Sequence, residues 1–150
     1  MPDITTRPLE HKDLPVLLEM VRDLAMHHGD TADVTRADLE RDCLGVTPWL
    51  QVLVAEVGGA VSGYAALCPL VQLQFGVRGM DIHHLFVRDV ARGRGVGRAL
   101  INASLELSRS LGCRYVTVGT HPDNAVAAAI YPRMGFDALP QPGPRFRIKL

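Results

Sequence analysis

The chain carries no net charge: Lys and Arg number 16, and Asp and Glu also number 16. With a pI near 7 it sets up no overall field, so its composition excludes a partner recruited by bulk charge, whether nucleic acid or an anionic membrane surface. Selectivity for a charged ligand must be local. Cysteine is scarce and odd in number: Cys43, Cys68 and Cys113 are far apart and sit in apolar segments, which excludes a disulfide framework and suits free, packed thiols in a reducing compartment. No apolar run approaches the roughly 20 residues of a membrane span. The first residues carry Asp3, Arg7 and Glu10 with no apolar signal core, so a cytoplasmic location is expected. There is no internal repeat, low-complexity tract or linker. At 150 residues a single domain removes roughly 70% of its unfolded surface from water and supports a core without staples.

What the chain does have is strong periodicity. Residues 4–9 read as a short first strand. Leu14, Leu17, Leu18, Val21, Leu24 and Ala25 then fall at helical spacing, with Asp13 placed to cap and Pro15 tolerated in the first turn. Thr35 and Asp38 have capping-box spacing before a second short helix, which Gly45 and Pro48 stop. Residues 49–57 and 61–73 are β-rich runs around the Gly58-Gly59 hairpin signal. Gly76 and Gly79 punctuate the next connection, and residues 80–87 form a further strand. Val96, Leu100, Ala103, Leu107 and Leu111 line one helix face, closed by Gly112. A strand over 114–119, a helix from about Ala125 to Tyr131 and a closing strand over 146–150 complete the order. Pro132 should end or kink that last helix. The order β, α, α, β, β, β, α, β, α, β predicts an α/β (α+β) domain with a mixed central sheet of six to seven strands and helices on both faces.

The centre of the sequence is Asp81 to Gly97, where an apolar strand enters a turn holding Arg92, Gly93, Arg94, Gly95, Val96 and Gly97 and then a helix with Arg98 in its first turn. Glycines there allow positive φ and close backbone approach, and a helix start offers unpaired N–H groups to an anion. The spacing is G-x-G-x-G. The dinucleotide fingerprint requires G-x-G-x-x-G and the Walker loop requires G-K-[ST], so both fit poorly. A plain strand-to-helix connection gains little from three like charges within seven residues, so phosphate or a similar polyanion is the economical ligand.

These residues resemble the GNAT superfamily of acyl-CoA N-acyltransferases. Arg92-x-x-Gly95-x-Gly97 matches its pyrophosphate loop, Leu85-Phe86-Val87 the strand before it, and Asn124 with Ile130-Tyr131-x-x-Met134-Gly135-Phe136 the later half of the pattern. Leu24-Ala25, Val34-Thr35-x-x-Asp38-Leu39 and Pro48 with Leu53-Val54-Ala55-Glu56 look most like the diamine and thialysine acetyltransferase branch. The resemblance implies a GNAT fold with a V-shaped splay between two parallel strands, one ending near Val87 and one over 114–119. It also implies acetyl-CoA as cosubstrate. Pantetheine would lie along the backbone of Leu85, Phe86 and Val87, diphosphate on the N–H groups from Arg92 to Arg98, and Asn124, Ala127 and Tyr131 would complete the cofactor contacts. Direct attack by an amine and a homodimer are implied in the same way.

An alkylamine of pKa near 10.4 is protonated at pH 7, so transfer to it needs a base, and the departing thiolate benefits from an acid. Tyr131 is the expected acid: it lies seven residues after Asn124, two turns along one helix face. His83 stands where the diamine branch carries a carboxylate base, and His83-His84 replaces that branch's Glu-Asp pair. On strict alternation His83 shares a face with Leu85 and Val87, and His84 takes the other, unless a bulge near Leu85 inverts the assignment. His84 and Asp81 are candidates for binding the acceptor. His27-His28, His83-His84 and His121 lack metal-site spacing, so no metal is expected. The function expected is N-acetylation of a small primary amine, whether diamine, polyamine or amino-acid-like. The alternatives are a protein or peptide N-acetyltransferase of the same fold and a non-catalytic acyl-CoA-binding module.

Overall fold

The computed structural model describes residues 3–120 and 123–150. The chain divides into two compact units, one running through Val118 and a second comprising Gly119–Leu150.

The first unit holds a five-stranded sheet in sequential order, β1 (Ile4–Pro8), β2 (Gln51–Val57), β3 (Ala60–Gln72), β4 (Val77–Val87) and β5 (Cys113–Val118). The first four strands pair antiparallel and β4 pairs parallel with β5, so the sheet is mixed, as expected. Period-two alternation sorts the side chains into two cores. Val52, Val54, Tyr64, Ala66 and Phe86 face α1 (Leu14–His27), which packs Leu14, Leu17, Met20 and Leu24 against them. Leu53, Ala55, Ala65, Leu67, Met80 and Ile82 face α3 (Val96–Ser110), through Val96 and Leu100. One helix on each face is the layered arrangement that buries both sides of such a sheet.

Several expectations change in detail. Among the described residues five strands stand in place of six to seven: residues 146–150 have no pairing, and Phe146, Ile148 and Leu150 are exposed; alternation alone does not make a strand without a partner for its backbone groups. Gly79 lies inside β4, opposite Tyr115, and not in a connection. Asp13 occupies the position before α1, but its side chain makes no cap to that helix. Its carboxylate accepts from the Glu10 N–H at 2.8 Å and from both terminal nitrogens of Arg7 at 2.7 and 2.9 Å. The Thr35–Asp38 capping box is present before α2 (Arg36–Leu39), which continues through a wider turn at Glu40–Leu44. In α3 the buried stripe includes Ser104 and Ser108, whose hydroxyls donate to the carbonyls of Leu100 and Ser104 at 2.7 Å each. This back-bonding satisfies the hydroxyls and lets two polar residues sit against the sheet.

In the second unit α4 (Ala125–Arg133) passes through Pro132 and ends two residues beyond Tyr131, before Gly135 turns the chain at φ 98°. The Phe136 N–H closes the end by donating to the Tyr131 carbonyl. His121 lies outside the described residues.

Candidate active site

The parallel ladder between β4 and β5 runs from Arg78 opposite Cys113 to Ile82 opposite Val118 and stops there. β4 continues to Val87, paired only with β3. From His83 to Val87 the strand therefore has no strand neighbour on its β5 side among the described residues. An open strand edge at this point is what the expected splay requires of β4.

A bulge sits where the two ladders part. Ala66 faces His84 while its neighbour Leu67 faces Ile82, so His83 is the extra residue in β4. The bulge reverses the phase of the strand. Met80 and Ile82 point to the α3 side, and beyond the bulge Leu85 and Val87 take that side, while Phe86 enters the α1 side. Alternation breaks only across His83, between Ile82 and His84; from His84 onward it holds, and His84 lies with Phe86, opposite Leu85 and Val87, as strict alternation predicts. The His83 side chain is exposed and the His84 ring is half-buried. Their rings stack with centroids 4.4 Å apart and planes 12° apart. Tyr64 on β3, opposite Phe86, is a diagonal neighbour of His84, and its hydroxyl lies 3.0 Å from His84 Nδ1. Burial, with the nearby His83 and His28, pushes the His84 imidazole down to about 4, and burial pushes the Tyr64 phenol well up. Asp81 is occupied: its carboxylate accepts from the Thr117 hydroxyl at 2.6 Å across the β4–β5 pair.

The strand leaves the sheet at Arg88, whose N–H donates to the Ser62 carbonyl. Arg88 Nη2 approaches Glu19 on α1 at 3.2 Å, off the hydrogen-bonding line, so the buried Nε and Nη2 have no acceptor. A short 3-10 turn at Asp89–Ala91 follows. Arg92 spends its side chain on the turn itself, donating to the Val87 carbonyl at 3.1 Å and pairing with Asp89 at 2.9 Å. Gly93 and Gly95 have φ of 75° and 86°, a left-handed geometry that side-chain-bearing residues adopt at a cost. Gly95 is the N-cap of α3 and supplies no side-chain cap. The first N–H groups of a helix have no intrahelical acceptor; here those of Val96, Gly97 and Arg98 open α3 without a side-chain cap, and the helix dipole favours an anion at that point. Arg94 and Arg98 are exposed and have no ion pair among the described residues. Phe86 and Val96 are packed in the cores, so each can offer a cofactor its backbone only.

Asn124, Ala127 and Tyr131 belong to the second unit. Asn124 is the N-cap of α4, its Oδ1 accepting from the Ala127 N–H at 3.0 Å, which leaves its amide nitrogen as a donor. Tyr131 is half-buried with its ring edge-on to Phe136 at 5.8 Å. Burial raises its phenol, so it is protonated at neutral pH.

Tyr64, Arg88 and Thr117 were not singled out by sequence. Nothing local marks them: Tyr64 and Thr117 act across strand pairs, and the partner of Tyr64 is set by the bulge. Among the described residues no cluster of three or more His, Cys, Asp or Glu is arranged for a metal, and no helix is long and apolar enough to cross a membrane.

A family model described as Acetyltransferase (GNAT) family matches residues 17–136. The chain belongs to this family. It is 33% identical over 99 residues to an L-methionine sulfoximine/L-methionine sulfone acetyltransferase of Pseudomonas aeruginosa, a match covering 63% of this chain and 57% of that one. It is 24% identical to the thialysine N-epsilon-acetyltransferase of Sus scrofa, over 90% of this chain and 85% of that one. An aminoglycoside N-acetyltransferase solved in complex with CoA superimposes with a TM-score of 0.80 at 22% identity, covering 100% of this chain and 97% of that one. The fold is therefore the GNAT fold. The chain spans little more than half the length of the Pseudomonas relative.

Proposed function

We propose that this chain is an acetyl-CoA-dependent N-acetyltransferase acting on the primary amine of a small, amino-acid-like molecule. The observation that carries the reading is the continuous unit of an unpaired strand edge, His83 to Val87, leading through a glycine turn to the open N-terminus of α3. In a member of the GNAT family, that unit fits a ligand with an extended amide-bearing arm and a diphosphate. Bound acetyl-CoA supplies the acetyl group as an activated thioester.

The chain's own residues then have distinct tasks. The N–H groups of Val96, Gly97 and Arg98 receive the diphosphate, with Arg94 and Arg98 adding charge; Arg92 and Gly93 hold the turn in shape. The backbone of Leu85 and Val87 aligns the arm, with the Val87 carbonyl shared with Arg92. His83 takes one proton from the ammonium, which frees the lone pair that forms the N–C bond; as the C–S bond breaks, the nitrogen sheds its second proton, which replaces the one that Tyr131 gives up. Tyr131, on the strength of the motif, returns a proton to the leaving sulfur, and Asn124 and Ala127 keep their cofactor roles on the same ground.

The acceptor class rests on what surrounds β4. A dication would call for desolvated carboxylates, but histidines occupy positions 83 and 84, and Asp81 is bonded to Thr117. On the His84 side, Arg88 pairs with Glu19 through Nη2 and keeps its buried Nε without an acceptor among the described residues, which suits an amine that also bears a carboxylate. The relatives named for methionine sulfoximine and thialysine agree with that class. The family match runs through both compact units, which supports one domain; a homodimer and a cytoplasmic location are part of the same proposal.

A thiol-release assay with acetyl-CoA against amino acids, diamines and a peptide amine tests it. Turnover of a carboxylate-bearing amine is expected. Turnover of diamines or peptides alone would change the acceptor, and binding without any turnover would make the chain a non-catalytic CoA binder. Tyr131→Phe should lower turnover with little change in cofactor affinity; unchanged turnover removes Tyr131 from the chemistry.

A further inference from the structure

We infer that Tyr64 is a positioning residue that holds His84 as the neutral tautomer protonated on Nε2, so that His84 serves the site as a hydrogen-bond donor and cannot be the base. The inference deepens the acetyltransferase reading and rests on it for the meaning of His83 and His84 in catalysis; the tautomer itself does not.

The argument begins with the hydroxyl. Tyr64 is 1% exposed, and His84 Nδ1, at 3.0 Å, is the partner of its hydroxyl. A phenol has one proton to donate. Were Nδ1 protonated, it would donate to the phenol oxygen and leave that buried O–H without an acceptor, which is costlier than losing a solvated bond. The satisfied arrangement has Tyr64 donating and Nδ1 accepting. A neutral imidazole carries one proton, so it sits on Nε2.

The groups around His84 reinforce its neutrality. Its own strand supplies His83, stacked at 4.4 Å. His28, just past the end of α1, acts on His84 in the same direction as its burial. From β3 comes Tyr64, itself beside Cys43, and Phe86 adds an apolar ring against Tyr64. No carboxylate acts on His84 to offset its burial. Of the two stacked imidazoles, His83 is the exposed member and His84 the one held by a hydrogen bond from the strand beside it. The bulge makes this division of labour possible, because it carries both histidines to the end of the paired ladder and sets His84 within reach of β3.

The test is a long-range proton–nitrogen correlation on protein labelled at histidine nitrogens, at pH 7, with His84 assigned by its loss in His84→Gln. The wild-type spectrum should show an unprotonated Nδ1 and a protonated Nε2 for His84. In Tyr64→Phe that pattern should give way to mixed tautomers while His83 is unchanged. An Nδ1-protonated or imidazolium His84 in the wild type overturns the inference, and this measurement decides it even if Tyr64→Phe fails to fold. The spectrum needs no substrate, so its outcome is separable from that of the activity assay. With an acceptor in hand, His83→Gln should abolish the acid limb of the kcat/KM profile. His84→Gln should keep that limb, and His84→Ala should lower kcat/KM by about tenfold, the worth of one hydrogen bond. A limb that survives in His83→Gln and vanishes in His84→Gln contradicts the division of roles.

Discussion

The ring of Tyr115 on β5 lies directly over the backbone of Gly79 on β4, at the register position where the two residues face each other across the parallel pair. A β-carbon at position 79 would overlap the ring atoms, while the backbone conformation of Gly79 is ordinary. The glycine is there for space. Gly79→Ala should therefore destabilise the protein by about 1–3 kcal/mol, the usual cost of overpacking, as read from urea unfolding at pH 7. Tyr115→Ala in the same chain should recover part of that loss, and strictly additive effects of the two substitutions would show that the ring is not the obstacle.

Arg7 and Asp13 form the main buried ion pair of the first unit. Arg7 also reaches Glu56 at 2.8 Å, and Asp13 is 3% exposed. The hydrogen bonds from Arg7 hold the Asp13 carboxyl below its ordinary value of 3.8, against the opposing effect of burial. A carboxyl depressed in the folded state adds stability above its unfolded value and loses it as pH falls through the folded one. Asp13→Asn should cost roughly 1–3 kcal/mol at pH 7, since it takes the charge out of the hydrogen bonds from Arg7 while Glu56 still pairs with the guanidinium. The difference from wild type should shrink below about pH 3.8. A pH-independent difference would mean that the charge is not what stabilises this corner.

His84 produces a separate acid effect of its own. Its imidazole is neutral in the folded chain down to about 4, against an ordinary value of 6.5. Between those values the unfolded chain binds a proton that the folded chain does not, so stability falls as pH drops from about 6.5 to about 4. His84→Gln should flatten the unfolding free energy across that window and leave the lower Asp13 window intact. An unchanged slope in His84→Gln would place the acid sensitivity elsewhere.

The legible parts of this sequence were those governed by local period and turn chemistry. The helical stripe from Leu14, the Gly58-Gly59 hairpin and the strand–glycine–helix unit at 81–98 were all readable, because each is encoded within a dozen residues. The illegible parts depend on partners distant in the chain. The bulge at His83 arises from how β4 matches β3; it separates His84 from the face of Met80 and Ile82, while His84 keeps the side opposite Leu85 and Val87 that alternation predicts. Asp13 looked like a helix cap and became the partner of Arg7. The alternating residues 146–150 looked like a strand but have no pairing, and Ser104 and Ser108 enter the core only because they bond back to their own helix. In the proposed site, the glycine and arginine pattern is what suggests a diphosphate cradle, whereas Arg92 braces the turn and Tyr64 gives no local sign of its bond to His84.

The most direct measurement of the central claim is calorimetric titration of the purified chain with acetyl-CoA, beside the double variant Arg94→Ala, Arg98→Ala. Saturable binding at one site per chain is predicted, weakened about tenfold or more in the variant as two charge-assisted contacts to the diphosphate are lost, with a smaller salt dependence. Absence of binding by the wild-type chain, or binding that the double variant leaves untouched, would contradict the assignment of the turn at 92–98 as the diphosphate cradle.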